Sequence, residues 1–170
     1  MNKINNLFLT GPRDIGKTFI IRKLQAHFAG VKWGGFLTEP AKLPGYQMRA
    51  VQFPATNVIA YQNPEIRNKF DIFLEAFDNF GVSILKDALE NSQIILMDEL
   101  GVFESGAYLF QNQVFEILNS SKPVIGVIKD KPSPFLDKIR QRPDVGIHRV
   151  SLENREQLVD EMIQKILSLI

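Results

Sequence analysis

Near its start the chain reads Gly11-Pro12-Arg13-Asp14-Ile15-Gly16-Lys17-Thr18, a spacing that fits G-x-x-x-x-G-K-[ST]. Glycines at both ends let the backbone wrap a polyphosphate with its N–H groups turned inward. A helix opening at Gly16 adds the positive end of its dipole. Lys17 supplies a point charge for β- and γ-phosphates, and the Thr18 hydroxyl suits a Mg²⁺ ion. Gly11 to Phe19 are therefore the candidate nucleotide-binding residues, with Lys17 also a catalytic candidate and Thr18 a candidate metal ligand. In a plain glycine turn between strand and helix, the Lys-Thr pair would have no packing purpose.

A second feature lies at Gln93 to Met97, an apolar run of strand length followed by Asp98-Glu99-Leu100-Gly101. An acid at the end of a buried strand is what a nucleotide hydrolase uses to hold Mg²⁺ beside the phosphate-loop hydroxyl. Asp98 fits that role. Glu99 is placed to accept a hydrogen bond from an attacking water and align it with the γ-phosphate, which makes it the second catalytic candidate.

Composition bounds what can position these groups. With 170 residues and 45% hydrophobic content, the chain can build one domain with a sizeable core. A net charge of +1 gives no global field for nucleic acid or a membrane, so neither is an expected partner. Cysteine is absent, which excludes disulfides and thiolate metal sites and suits a reducing cytoplasm. No apolar run approaches the length of about 18 residues that spans a bilayer. The chain is expected to be soluble and cytoplasmic, as a single domain over residues 1–170.

The elements follow from the patterning. Leu7 to Leu9 reads as a buried strand and 16–28 as a helix whose apolar face is Phe19, Ile20, Ile21 and Leu24. Strands are expected over 31–38, 46–53 and 57–61. With no room between them for crossover helices, 31–62 reads as a β-rich antiparallel insertion. Residues 66–89 carry Phe70, Phe73, Leu74, Phe77, Ile84, Leu85, Ala88 and Leu89 at helical spacings, predicting one long core-facing helix that Gly81 kinks or divides. Beyond the acid pair, helices are predicted over 107–118, 134–141 and 154–170, with strands over 123–128 and 145–150. Alternating strands and helices imply an α/β fold, a mostly parallel sheet covered on both faces, with the ligand at the strands' carboxyl ends.

Four segments together resemble the cancer-related nucleoside-triphosphatase family of P-loop proteins, which has thermostable archaeal and bacterial members. They are the glycine loop, Gly34 to Glu39 (GGFLTE), Asp98 to Glu104, and the run from Lys122 through Ile139-Arg140-Gln141-Arg142-Pro143 to Ser151-Leu152-Glu153-Asn154-Arg155. The resemblance implies a three-layer, RecA-like P-loop fold. It also implies Mg²⁺-dependent hydrolysis of nucleoside triphosphates, ATP and GTP among them, with broad base tolerance and slow turnover. It carries the loop roles onto Gly11, Gly16, Lys17 and Thr18 and the acidic roles onto Asp98 and Glu99. The chain departs from the family's pattern in two places. Arg13-Asp14 stands where small residues are usual, and Val102 where a Lys is usual.

Those departures lead to expectations. A carboxylate at Asp14 facing the phosphates would repel them, whereas one pointing outward and paired with Arg13 would cost little. Weaker nucleotide binding is expected, tightened by Asp14→Gly. Arg140 and Arg142 are candidate arginine fingers, set against a plainer reading as a solvated helix face. Arg22, His27 and His148 read as ordinary surface or structural residues. Three function classes remain open: a nucleoside-triphosphatase, a kinase using the same loop, and a nucleotide-dependent switch whose Phe70 to Phe80 region binds a partner protein.

Overall fold

A computed structural model describes residues 4–170. One eight-stranded sheet runs through the molecule. Its strands are β1 (Asn6–Thr10), β2 (Trp33–Pro40), β3 (Gly45–Ala50), β4 (Thr56–Gln62), β5 (Phe70–Ile72), β6 (Ile94–Leu100), β7 (Val124–Ile128) and β8 (Val145–Arg149). Their spatial order is β5-β4-β3-β2-β6-β7-β1-β8. The neighbours from β2 across to β8 pair in parallel, while β2 to β5 form an antiparallel meander at the other side. The parallel strands, numbered among themselves along the chain, therefore run 5-1-4-3-2, as the RecA-like reading requires.

Among the described residues five α-helices cover the two faces: α1 (Lys17–His27), α2 (Val82–Asn91), α3 (Tyr108–Leu118), α4 (Pro134–Arg140) and α5 (Arg155–Leu167). Strand alternation sends Leu7 and Leu9 of β1 to one face, where Ile20, Ile21 and Leu24 of α1 and Leu158, Met162 and Ile166 of α5 pack on them. Phe8 points the other way, into a core with Ile84 and Leu85 of α2, Phe110 and Val114 of α3, and Leu136 and Ile139 of α4. Both layers are close to fully buried, so the sheet is held rigidly between them.

Two expectations need correction. The antiparallel part begins later than residue 31, because β2 pairs in parallel with β6, and it extends past residue 62 to include β5. The helix expected over 66–89 is three structures: strand β5, a π-helical turn at Ala76–Gly81, and α2. Phe77, Ile84, Leu85 and Ala88 are core as expected, but Phe73 is 46% exposed and Leu74 40%. Phe70 instead stacks with Tyr46 and Phe103, at ring-centroid distances of 5.6 and 5.3 Å.

Gly35 explains part of the GGFLTE segment. Its φ is +104°, and a Cβ there would lie 2.0 Å from the Leu96 carbonyl oxygen, so only glycine lets β2 approach β6 this closely.

Candidate functional site

The glycine loop leaves β1 at its carboxyl end and opens α1. Gly16 sits there at φ 116°, in the left-handed region that a side chain disfavours. No side chain caps α1, and its first carbonyl, that of Gly16, accepts the Ile20 N–H at 3.1 Å. The leading N–H groups of this helix therefore face the loop, which is the arrangement that binds anions. Lys17 folds back over the loop, its ammonium donating to the carbonyl oxygens of Gly11 at 2.8 Å and Pro12 at 2.6 Å. Phe19 packs on the outer side, with Arg155 and Lys23 each 5.5 Å from its ring centroid. Pro12, Arg13, Asp14 and Thr18 are exposed, and Ile15 is half-buried.

Asp14 takes φ +60°, and its carboxylate lies 3.7 Å from the Arg13 guanidinium, with both side chains more than four-fifths exposed. Asp14 is thus paired with Arg13 and open to solvent, and it also lines the cleft.

The acid pair comes from β6, which runs to Leu100 rather than stopping at Met97. Ile94 and Leu96 face the α1 layer and Ile95 and Met97 the opposite one, so Asp98 falls on the α1 side. The pairing with β7 then slips by one residue between Asp98 and Leu100. That slip turns Leu100 into the same core as Met97 and re-aims the chain at Glu99. The Asp98–Glu99 peptide bond is cis. Asp98 is buried, and loss of solvent, reinforced by the charge of Glu99, pushes its carboxyl up to about 7 against the opposing pull of Lys17. Glu99 makes an ion pair with Lys129, Oε1 to Nζ, at 3.1 Å.

These groups share one cleft of about 720 Å³, which the phosphate loop, Asp98, Glu99 and Lys129 all line. It continues over the antiparallel strands to Glu39, Tyr46 and Arg49. Glu39 accepts hydrogen bonds from Gln47 at 3.0 Å and Arg49 at 3.1 Å. Burial raises its carboxyl, but these donors outweigh it and hold Glu39 below its ordinary value. Arg22 lies on α1 at the cleft wall.

The donor set suits a hard cation that keeps much of its water. Thr18 and Asp98 offer oxygens on the same cleft, and the ionised form of buried Asp98 needs a compensating positive charge. Among the described residues no cluster of three or more His, Asp or Glu forms a metal cage. Mg²⁺ typically binds through one or two protein oxygens together with phosphates, so the residues fit it.

Neither arginine of the IRQRP segment reaches the cleft. Arg140 pairs with Asp137 at 2.7 Å and donates to the carbonyl oxygens of Lys129 and, at 3.1 Å, Lys131. Arg142 grips Asp144 through two hydrogen bonds at 2.9 and 2.7 Å and also donates to Asn119 and the Leu118 carbonyl. Both are structural ties, which neither the finger nor the solvated-face reading foresaw. His148 lies 3.3 Å from Lys165 and is held below its usual value by burial first and that lysine second. His27 ends α1, edge-on to Phe28.

Sequence reading missed Lys129 and Glu104 as parts of the site. Glu104 is buried and accepts the Gly101 N–H at 2.6 Å, tying down the turn that follows the acid pair. Its place in the Asp98–Glu104 segment was the available signal. Lys129 had none, since a lysine after a buried strand is commonplace.

A phosphate loop after the first strand of a 5-1-4-3-2 parallel sheet, with an acid pair at the end of the strand one place beyond its neighbour, defines a P-loop protein of the RecA-like kind. The sequence pattern of the NTPase family matches residues 6–163, and the chain belongs to that family. It is 30% identical over 170 residues to nucleoside-triphosphatase THEP1 of Methanocaldococcus jannaschii, covering 95% of this chain and 97% of that one. To the cancer-related nucleoside-triphosphatase of Homo sapiens it is 28% identical over 182 residues, with 93% and 94% coverage. The solution structure of a human cancer-related nucleoside triphosphatase superposes with a TM-score of 0.78 at 25% identity, over 96% of this chain and 98% of that one. The crystal structure of THEP1 from Aquifex aeolicus shares the fold, with a TM-score of 0.77 at 20% identity over 92% of this chain and 96% of that one.

Proposed function

We propose that this protein hydrolyses nucleoside triphosphates to the diphosphate and phosphate, with water as the acceptor. One observation carries the reading: the phosphate loop after β1 and the Asp98-Glu99 pair on β6 open into the same cleft. Backbone N–H groups of the loop and the start of α1 bind the β- and γ-phosphates, and Lys17 leaves its loop carbonyls to neutralise them. Glu99 accepts a hydrogen bond from the attacking water and aims its oxygen at the γ-phosphorus. The new P–O bond forms as the bond to the β-phosphate oxygen breaks, and the water proton passes to Glu99 or to the departing phosphate. Thr18 and Asp98 would hold Mg²⁺, which would supply positive charge to offset that of the phosphates.

ATP and GTP are the proposed substrates, in keeping with the names of the relatives. A chain without cysteine suits the reducing cytoplasm where both are abundant. No helix among the described residues is long and apolar enough to cross a membrane.

The test is incubation with ATP or GTP and Mg²⁺, with and without nucleosides and monophosphates. Phosphate should appear without an acceptor, and dependence on one would make the protein a kinase. Glu99→Gln should abolish release while nucleotide binding persists; normal turnover in that variant would remove Glu99 from the mechanism.

A further inference from the structure

Strand β7 lies in the sheet between β1, which carries the phosphate loop, and β6, which carries the acid pair. Lys129 follows the last residue of β7, so it emerges between the two halves of the site. Its ammonium pairs with Glu99 at 3.1 Å and lies 5.5 Å from the Phe103 ring centroid. Its stem passes over Gly101, where a Cβ would come within 3.4 Å of Lys129 Cδ and 4.0 Å of Nζ.

The backbone beneath it is fixed from two sides. The Lys129 N–H donates to the Leu100 carbonyl at 2.9 Å, and its own carbonyl accepts from Arg140. An ordinary half-exposed ion pair would contribute little and would need no such anchoring. An ammonium has three donors, and among the described residues Glu99 is the one carboxylate within ion-pair distance of it. The acid pair meanwhile carries two carboxylates, so a terminal phosphoryl group approaching Glu99 brings more negative charge to a place already negative. A cation beside Glu99 offsets that charge where Lys17, on the other side of the cleft, does not stand between them. Val102, which follows Gly101, supplies none.

We propose that Lys129 contacts the terminal phosphoryl group of the bound nucleotide while keeping its hold on Glu99, so that one ammonium recognises a triphosphate and sets the water-orienting carboxylate. This rests on the reading of Glu99 given above, but its first consequence is in binding rather than turnover. Lys129 makes the cleft prefer a triphosphate to a diphosphate.

The experiment measures affinity for a β,γ-imido triphosphate and for the matching diphosphate, both with Mg²⁺, by calorimetry. Wild type is compared with Lys129→Met, which keeps the stem over Gly101 and Phe103, and Lys129→Arg, which keeps the charge. Thermal melts confirm that each is folded, and the arginine variant stands on its own if the methionine variant does not fold. Wild type should favour the triphosphate. Lys129→Met should weaken triphosphate binding about tenfold with the diphosphate within about twofold, as loss of one charge-assisted contact implies. Lys129→Arg should keep most of the preference. Phosphate release by Lys129→Met should fall about 10²-fold, the scale of losing one transition-state contact.

A wild type indifferent to the third phosphate, an undiminished preference in Lys129→Met, or its full loss in Lys129→Arg would each overturn the proposal. Normal turnover in Glu99→Gln would instead sink the water-orienting role while leaving the binding comparison intact.

Discussion

Glu104 lies enclosed behind the acid pair with its carboxylate on the Gly101 N–H at 2.6 Å, so the turn that carries Glu99 out of β6 is pinned by a buried acid. Burial pushes the Glu104 carboxyl up to about 7; the Gly101 N–H and Lys129 pull it down, and the Glu99 charge adds to the rise.

This gives stability a definite pH dependence. A group whose folded value is raised favours the folded state at low pH and loses that advantage as pH climbs. The loss should run from about 4.5, where the unfolded acid ionises, through about 7, and amount to something on the order of 3 kcal/mol. Asp98 contributes in the same direction. Denaturant midpoints of the nucleotide-free protein between pH 5 and 9 should therefore fall, and Glu104→Gln should flatten the curve without removing it. Equal slopes in the two proteins would show that Glu104 does not titrate this way.

Asp14→Gly separates local strain from electrostatics. The φ of +60° at Asp14 is better suited to glycine, but glycine also loosens the unfolded chain, so unfolding midpoints should stay within about 0.5 kcal/mol of wild type. Because the carboxylate is open to solvent and paired with Arg13, affinity for a triphosphate should tighten by less than about threefold at 0.15 M salt, and by more as salt is lowered. Unchanged or weaker binding at low salt would clear Asp14 of any repulsion.

Arg142→Ala should behave as a structural lesion. It removes the partner of Asp144 and a donor to the Leu118 carbonyl, which should destabilise the protein by about 2 kcal/mol. Turnover per folded molecule should match wild type. A loss of about 10²-fold or more in turnover with an unchanged unfolding midpoint would instead mark it as an arginine finger.

Local pattern made most of the fold legible. Apolar runs at Leu7–Leu9, Gln93–Met97 and Pro123–Ile128 marked the parallel strands, because a strand buried on both faces leaves no room for polar residues. Phe70 misled for a physical reason. Its spacing to Phe73, Leu74 and Phe77 imitates a helical stripe, but contacts from distant Tyr46 and Phe103 hold it in an extended edge strand. Such tertiary contacts leave no local periodicity to read. The strand expected over 31–38 was placed among antiparallel strands because the short connections that follow it hid the parallel pairing with β6.

The site divides along the same line. Gly11 to Thr18 and Asp98-Glu99 were visible because each is contiguous in the chain. Lys129 is 30 residues from Glu99 and meets it only because β6 and β7 are neighbours. Arg140 and Arg142 read as a solvated helix face or as fingers, because their carbonyl partners appear only once α4 and β8 are folded against the loops.

The sheet's two borders have a further consequence. It ends on the three-residue β5 at one side and on the five-residue β8, bearing His148 and Arg149, at the other. Short or charged margins present few open backbone groups to a neighbouring chain, so a sheet eight strands wide is shielded from growing by edge-to-edge aggregation.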